Sequence, residues 1–203
     1  GLTLKTSTTL SRVLEAMSTV RREDFVPAAH RNLAFADLPL PLAHGETMMK
    51  PVLEGRTLQA LALEPGEEVL EVGTGSGFLT ACLAHLARAV TSIDIHADFL
   101  EAARARLDAA GIGNVRLETG DALSWQPGRQ FDAIAVTGAV ASIPEAFASW
   151  LRPGGRMFIV RGASPVQEAV RATRRGDALH IESLFETDIP YLRGAAPAPA
   201  FTF

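Results

Sequence analysis

Gly73, Gly75 and Gly77 crowd into the stretch "EVLEVGTGSGFLTACLAHLARAVTSIDI", residues 68–95, between an apolar run and a helical pattern. A carboxylate stands on either side, at Glu71 and Asp94. A strand, a glycine-rich turn and a helix build a nucleotide-type site, because glycine permits unusual dihedrals and lets a ligand approach the backbone. A phosphate loop of the NTP-hydrolysing type ends in Gly-Lys-Ser/Thr, whereas Gly77 is followed by Phe78 with no lysine nearby. A dinucleotide turn prefers G-x-G-x-x-G; this one reads "GTGSG", and Glu71 just before it suits a positively charged ligand better than a pyrophosphate.

S-adenosylmethionine is such a ligand, with a cationic amino group, a sulfonium and two ribose hydroxyls. Asp94 ends the next strand, 21 residues beyond Gly73, where a carboxylate can accept both hydroxyls. Gly120-Asp121 follows the third strand and can set a polar group beside the adenine, and Thr137 ends the fourth. Open α/β sheets bind ligands at this carboxyl edge. The expected cofactor site therefore comprises Glu71, Gly73, Thr74, Gly75, Ser76, Gly77, Asp94, Ile95, Asp121, Ala122 and Thr137.

The elements that must hold these residues follow from periodicity. "TLSRVLEAMSTV" spaces Leu10, Val13, Leu14, Met17 and Val20 as one helical face, with Thr9 or Ser11 as possible caps. Residues 36–51 are rich in proline and glycine and read as irregular. A helix is expected from Pro51, with Val52, Leu58 and Leu61 on its apolar face. Beyond Pro65-Gly66, strands "EVLEV", "AVTSIDI", "NVRLET", "FDAIAV" and "RMFIV" alternate with helices, the last, "IPEAFASWL", stopped by Pro153-Gly154. Such alternation predicts an α/β, Rossmann-like fold with a mostly parallel sheet. "VQEAVRATRRGDALHIESLFET" reads as an antiparallel hairpin at its edge. The expected organisation is a single domain: a helical and loop extension over 1–64 covering the active site, a core over 65–190, and a tail over 191–203.

At 203 residues, 47% hydrophobic and 21% charged, the composition is that of an ordinary globular chain. A net charge of -4 offers no broad footprint for nucleic acid, and Arg171, Arg174 and Arg175 read as a solvated hairpin end. No apolar run approaches a membrane span, and the start has no signal-peptide pattern. Cys82, the one cysteine, falls on an apolar helix face and reads as core, which fits a reducing cytoplasm. His85 and His180 have no metal-ligand partner at suitable spacing, His44 reads as a loop residue without a role, and no metal is expected.

Beyond these residues, "RREDFVP" (21–27), "LPLPLAHGETMMKP" (38–51), "VLEVGTGSGF" (69–78), "GD" (120–121), "FDAIAVTGA" (131–139) and "LRPGG" (151–155) occur in an order that resembles the protein-L-isoaspartate O-methyltransferase family. The resemblance runs from about Val13 to Leu192 and implies methyl transfer from S-adenosylmethionine, which leaves S-adenosylhomocysteine, to an isoaspartyl carboxyl in a damaged protein or peptide. It also implies that the Gly45–Pro51 loop covers the reacting centre. That loop departs from the family pattern Gly-x-Thr-Ile-Ser-x-Pro, with Met49 standing at the serine. A thioether cannot donate a hydrogen bond. Thr47 is the remaining loop hydroxyl, available to hold the acceptor or simply to stabilise its turn, and Met48 and Met49 serve as core filler or as a soft lid. The substitution leads us to expect weak or absent isoaspartyl methylation. It leaves open a different acceptor, or a silent module that binds cofactor or a partner. "DIPYL" (188–192) resembles the family's last strand only in part.

Overall fold

The computed structural model describes residues 2–201, with side chains from residue 5 onward. The first residue and the last two of the predicted tail lie outside the described residues. Helix α1 (Leu2–Thr19) starts earlier than its apolar pattern suggests. Thr9 and Ser11 are therefore not caps, and Thr9 Oγ1 instead donates to the Lys5 carbonyl one turn back, at 2.9 Å. Val13, Ala16 and Val20 are buried, while Leu10 and Leu14, predicted to face inward, are exposed. The buried stripe runs through the small Ala16, which lets α1 lie close to its neighbours.

Residues 36–51 hold more order than their composition predicts. Strands β1 (Leu40–Pro41) and β2 (Thr47–Met48) pair antiparallel around a tight turn at Ala43–Gly45. Helix α2 (Pro51–Leu61) begins on proline, whose fixed φ suits a first helical position, and ends where Ala62 turns left-handed. Leu58 and Leu61 are buried as expected, but Val52 is exposed in the first turn.

The described residues then form a seven-stranded sheet in the order β5-β4-β3-β6-β7-β8-β9. Its parallel strands are β3 (Glu68–Val72), β4 (Ala89–Asp94), β5 (Val115–Thr119), β6 (Phe131–Val140) and β7 (Leu151–Arg161). Antiparallel β8 (Gln167–Arg175) and β9 (Ala178–Thr187) close one edge as the predicted hairpin. Helix α3 (Phe78–Leu86) links β3 to β4, α4 (Ala97–Ala109) links β4 to β5, and the short α5 (Glu145–Ser149) precedes β7. Pro153 and Gly154 do not stop that helix. They lie inside β7, where its register against β6 jumps between Phe131–Leu151 and Ala133–Arg156.

Alternation along the strands supplies two cores. Val69, Ala133, Ala135, Phe158 and Val160 face the layer holding α1, α2 and α3, whereas Leu70, Val72, Ile134, Val136 and Ile159 meet Phe147 and Trp150 on the other side. Strands buried on both faces read as continuous apolar runs, as "AIAV" (133–136) does. Cys82 is fully buried, and burial pushes its thiol up, consistent with a core role. The strand order reverses at β3, since β4 lies on one side and β6 on the other. That switch point opens the crevice where the site lies. No helix among the described residues is long and apolar enough to cross a membrane.

Candidate active site

The glycine turn leaves β3 at its carboxyl end. Gly73, Gly75 and Gly77 take φ of +96°, +52° and +90°, in the region where side chains are strained. At Gly73 a second constraint applies, because an added Cβ would collide with Thr137 Oγ1. Thr137 donates that hydroxyl to the carbonyls of Val72 (2.8 Å) and Gly73 (3.0 Å), so it braces the turn from β6. A cavity of about 460 Å³ opens in front, and all the predicted site residues line it except Gly77. Gly77 packs instead toward Ala103 of α4, whose Cβ would lie 3.1 Å from a Cβ added there. Its part is to let α4 approach the turn.

Asp94, at the end of β4, is buried and oriented by two backbone donors. Gly75 N–H reaches Oδ2 at 3.0 Å and His96 N–H reaches Oδ1 at 2.9 Å. Each oxygen keeps a further acceptor position, so the carboxylate can take two hydroxyls side by side. After β5, Asp121 accepts Leu123 N–H at Oδ1 (3.0 Å), which fixes its rotamer at the cavity wall. Ile95 and Ala122 supply apolar wall beside the two acids, and Ile95 is exposed despite its type.

Glu71 lies beneath the turn and is fully buried. Its Oε1 accepts hydroxyls from Thr80 and from Ser92 (2.6 Å), and Ser92 in turn takes Thr74 Oγ1 at 2.6 Å. Its Oε2 has no hydrogen-bond partner among the described residues. Burial pushes this carboxyl up to about 8, although the two hydroxyls pull the other way. A buried unpartnered acceptor costs roughly 1–3 kcal/mol, so this oxygen suits a donor from a ligand, and a cation best. Thr80 and Ser92 were silent in the sequence because a buried hydroxyl in a helix or strand has no distinctive spacing.

The Gly45–Pro51 loop crosses the cavity's far side. Thr47 is exposed, Met48 buried and Met49 half-buried against the core, and all three line the cavity. Met48 and Met49 thus both pack against the core and line the cavity. The loop is held from below by Arg22, itself buried, which reaches the carbonyls of Ala34 (2.6 Å) and Met49 (3.1 Å) and pairs with Glu54 of α2. Its guanidinium also sits 4.7 Å from the centre of the Phe78 ring. Burial pushes the Glu54 carboxyl up to about 7 against the pull of Arg22.

From the other side the chain returns after β9. Leu192 N–H donates to Ala139 carbonyl and Ala139 N–H to Pro190 carbonyl, both at 2.9 Å. Arg193 then grips Glu46 (3.0 Å) and the His44 carbonyl (2.6 Å), so the first residues of the predicted tail belong to the cavity wall. His44 is not idle. Its ring stacks on His96 at 4.0 Å and 5°, and its Nε2 lies 2.8 Å from Asp98. His44, His96 and Asp98 are close enough to share an ion. Parallel rings, however, cannot both aim in-plane lone pairs at one metal, and the Asp98–His44 contact already occupies a ring nitrogen. His85 and His180 are exposed and apart from the cavity. Arg171 and Arg174 also depart from the solvated hairpin end predicted for them. They donate to the carbonyls of Ala60 (3.2 Å) and Leu151 (2.5 Å), which anchors the hairpin to the body.

A parallel sheet reversing at β3, a glycine turn at its carboxyl edge and an acid at the end of β4 define the Rossmann-like methyltransferase class of fold. The family model of protein-L-isoaspartate(D-aspartate) O-methyltransferase matches residues 2–191. A protein-L-isoaspartate O-methyltransferase of Methylorubrum populi is 43% identical over 189 residues, covering 92% of this chain and 89% of its own. One from Myxococcus xanthus is 41% identical over 179 residues, covering 86% and 84%. This chain belongs to the protein-L-isoaspartate(D-aspartate) O-methyltransferase family. A solved structure from Plasmodium falciparum, assigned as such a methyltransferase and in complex with S-adenosyl-L-homocysteine, shares the fold with a TM-score of 0.80 at 21% identity, over 89% of both chains.

Proposed function

We propose that the protein transfers the methyl group of S-adenosylmethionine to the free carboxylate of an isoaspartyl residue in a damaged protein or peptide. Membership of the family supports the reaction class. The observation that carries the reading is Glu71: a buried carboxylate oxygen without a partner among the described residues, set in the cavity wall beneath the glycine turn. An amino group there supplies the missing donor and the positive charge, which a pyrophosphate does not. Asp94, already held by two amides, takes the ribose hydroxyls, and Asp121, flanked by Ile95 and Ala122, meets the adenine.

The bound donor supplies an electrophilic methyl on a sulfonium. The acceptor carboxylate is ionised near neutral pH, so the chain needs no strong base. Its work is alignment and exclusion of water, which can contribute roughly 7–11 kcal/mol in well-oriented reactions. Residues 1–64 supply the cover, through the loop around Thr47 and Met49, over a core of 65–190. We place the protein in the cytoplasm, where its lone buried thiol suits a reducing medium, with no nucleic acid or lipid partner. Met49 favours a second reading, in which the acceptor is another carboxylate, because it removes the donor that the family's serine provides.

S-adenosylhomocysteine should stabilise the protein and NAD should not. At 100 times its dissociation constant a ligand adds about 2.7 kcal/mol, which for a chain of this size raises the melting temperature by at least about 5 °C. A melting curve unmoved by saturating S-adenosylhomocysteine, in protein freed of copurified ligand, overturns the cofactor assignment.

A further inference from the structure

Lys50 follows Met49, is half-buried and lines the same cavity. Its backbone is fixed, since Pro51 restricts its dihedrals and its carbonyl accepts the amides of Leu53 (3.1 Å) and Glu54 (3.2 Å) at the start of α2. Its ammonium, by contrast, has no hydrogen-bond or carboxylate partner among the described residues. The other arginine or lysine lining the cavity is Arg193, and Glu46 and the His44 carbonyl already occupy it. Three aspartates, Asp94, Asp121 and Asp188, line the same wall. An anionic acceptor entering such a cavity is repelled and loses water, and both costs call for a cation.

We propose that Lys50 is the acceptor-binding residue that takes the carboxylate of the methyl acceptor, in place of the hydroxyl that Met49 removes. The inference rests on the reaction proposed above. An ammonium offers three donors, and a carboxylate two oxygens. One oxygen pairs with Lys50, while the other faces the methyl group and keeps its nucleophilic lone pair. The new bond joins that oxygen to the methyl carbon as the carbon–sulfur bond breaks, and the electron pair of that bond leaves with sulfur. No proton moves. The ester formed is neutral, so the attraction to Lys50 falls at the moment of product formation, which favours release. Thr47, exposed two residues before Met49, is placed to add a hydroxyl at the cavity rim.

The test compares wild type, Lys50→Met and Lys50→Arg. Methyl transfer to an isoaspartyl peptide gives KM and kcat separately at saturating donor. Calorimetry gives the affinity of each protein for S-adenosylhomocysteine. It also gives the affinity of each loaded protein for that peptide and for its α-carboxamide analogue. Loss of one charge-assisted contact predicts a KM raised about tenfold or more in Lys50→Met. Lys50→Arg should recover most of it, with S-adenosylhomocysteine affinity within about twofold of wild type. Wild type should prefer the free acid to the amide by a similar factor, and Lys50→Met should not. A Lys50→Met KM and peptide affinity unchanged from wild type overturn the assignment. If wild type binds S-adenosylhomocysteine but methylates no isoaspartyl peptide, the proposed reaction fails by itself. The role of Lys50 is then judged on binding alone, and equal or absent binding of acid and amide by wild type overturns that too.

Discussion

Glu71 couples protonation to both folding and ligand binding. In the unfolded chain its carboxyl titrates near 4.5, whereas burial lifts it to about 8 in the folded protein. Between those values the unfolded state gives up its proton first, so rising pH favours unfolding and the ligand-free protein loses stability across the window. The effect is limited to about 1.4 kcal/mol per pH unit. Glu54, lifted to about 7, acts in the same direction, so the variant comparison isolates Glu71. Melting temperatures of ligand-free wild type should fall more steeply from pH 5 to pH 8 than those of Glu71→Gln. A ligand ammonium reverses the preference by stabilising the ionised carboxylate, so S-adenosylhomocysteine binding should release protons in this window and tighten as pH rises toward 8. Equal pH slopes for wild type and Glu71→Gln would contradict the account of this residue.

At the scale of elements, Arg22 joins three segments that are separate in sequence: the turn at 22–24, the chain at Ala34 and the loop at Met49, against α2 through Glu54. Removing one member of a buried pair leaves the other charge unpaired and costs about 3–5 kcal/mol. Arg22→Met should therefore lower stability in urea by about that much, while Arg22→Met with Glu54→Leu should regain a large part. Unfolding free energies of the single variant within about 1 kcal/mol of wild type would show that the pair carries little. Nothing in the sequence marked this pair, because an arginine in a charged run and a glutamate in a helix both read as surface. The helical faces misread at Leu10, Leu14 and Val52 have a related cause. Periodicity gives a stripe but not its centre, and here Ala16 and Leu53 take the buried positions. Pro153-Gly154 signalled a break, and only strand pairing shows that the break is a bulge within β7.

Across the whole molecule, the site was legible where local chemistry and strand order coincide. The glycine turn follows β3, Asp94 ends β4 and Asp121 follows β5, and alternating β and α patterns put those ends on one edge. Thr137, expected to end its strand, instead lies inside β6, which runs on to Val140. What stayed hidden depends on distant chain returning: the Arg193–Glu46 contact, the His44–His96 stack, and the partner of the "DIPYL" segment, which meets β6 at Ala139 through Pro190–Leu192. Met49 alone leads to an expectation of weak or absent transfer, whereas the cavity as a whole also offers Thr47 and Lys50 to the acceptor. The central claim is tested most directly by transfer of labelled methyl from S-adenosylmethionine to two peptides of one sequence, with isoaspartate or aspartate at a single position. The account predicts that the isoaspartyl peptide is labelled, in proportion to enzyme and time, and that the aspartyl peptide is not. Labelling of neither peptide by protein that binds S-adenosylhomocysteine, or equal labelling of both, would contradict it.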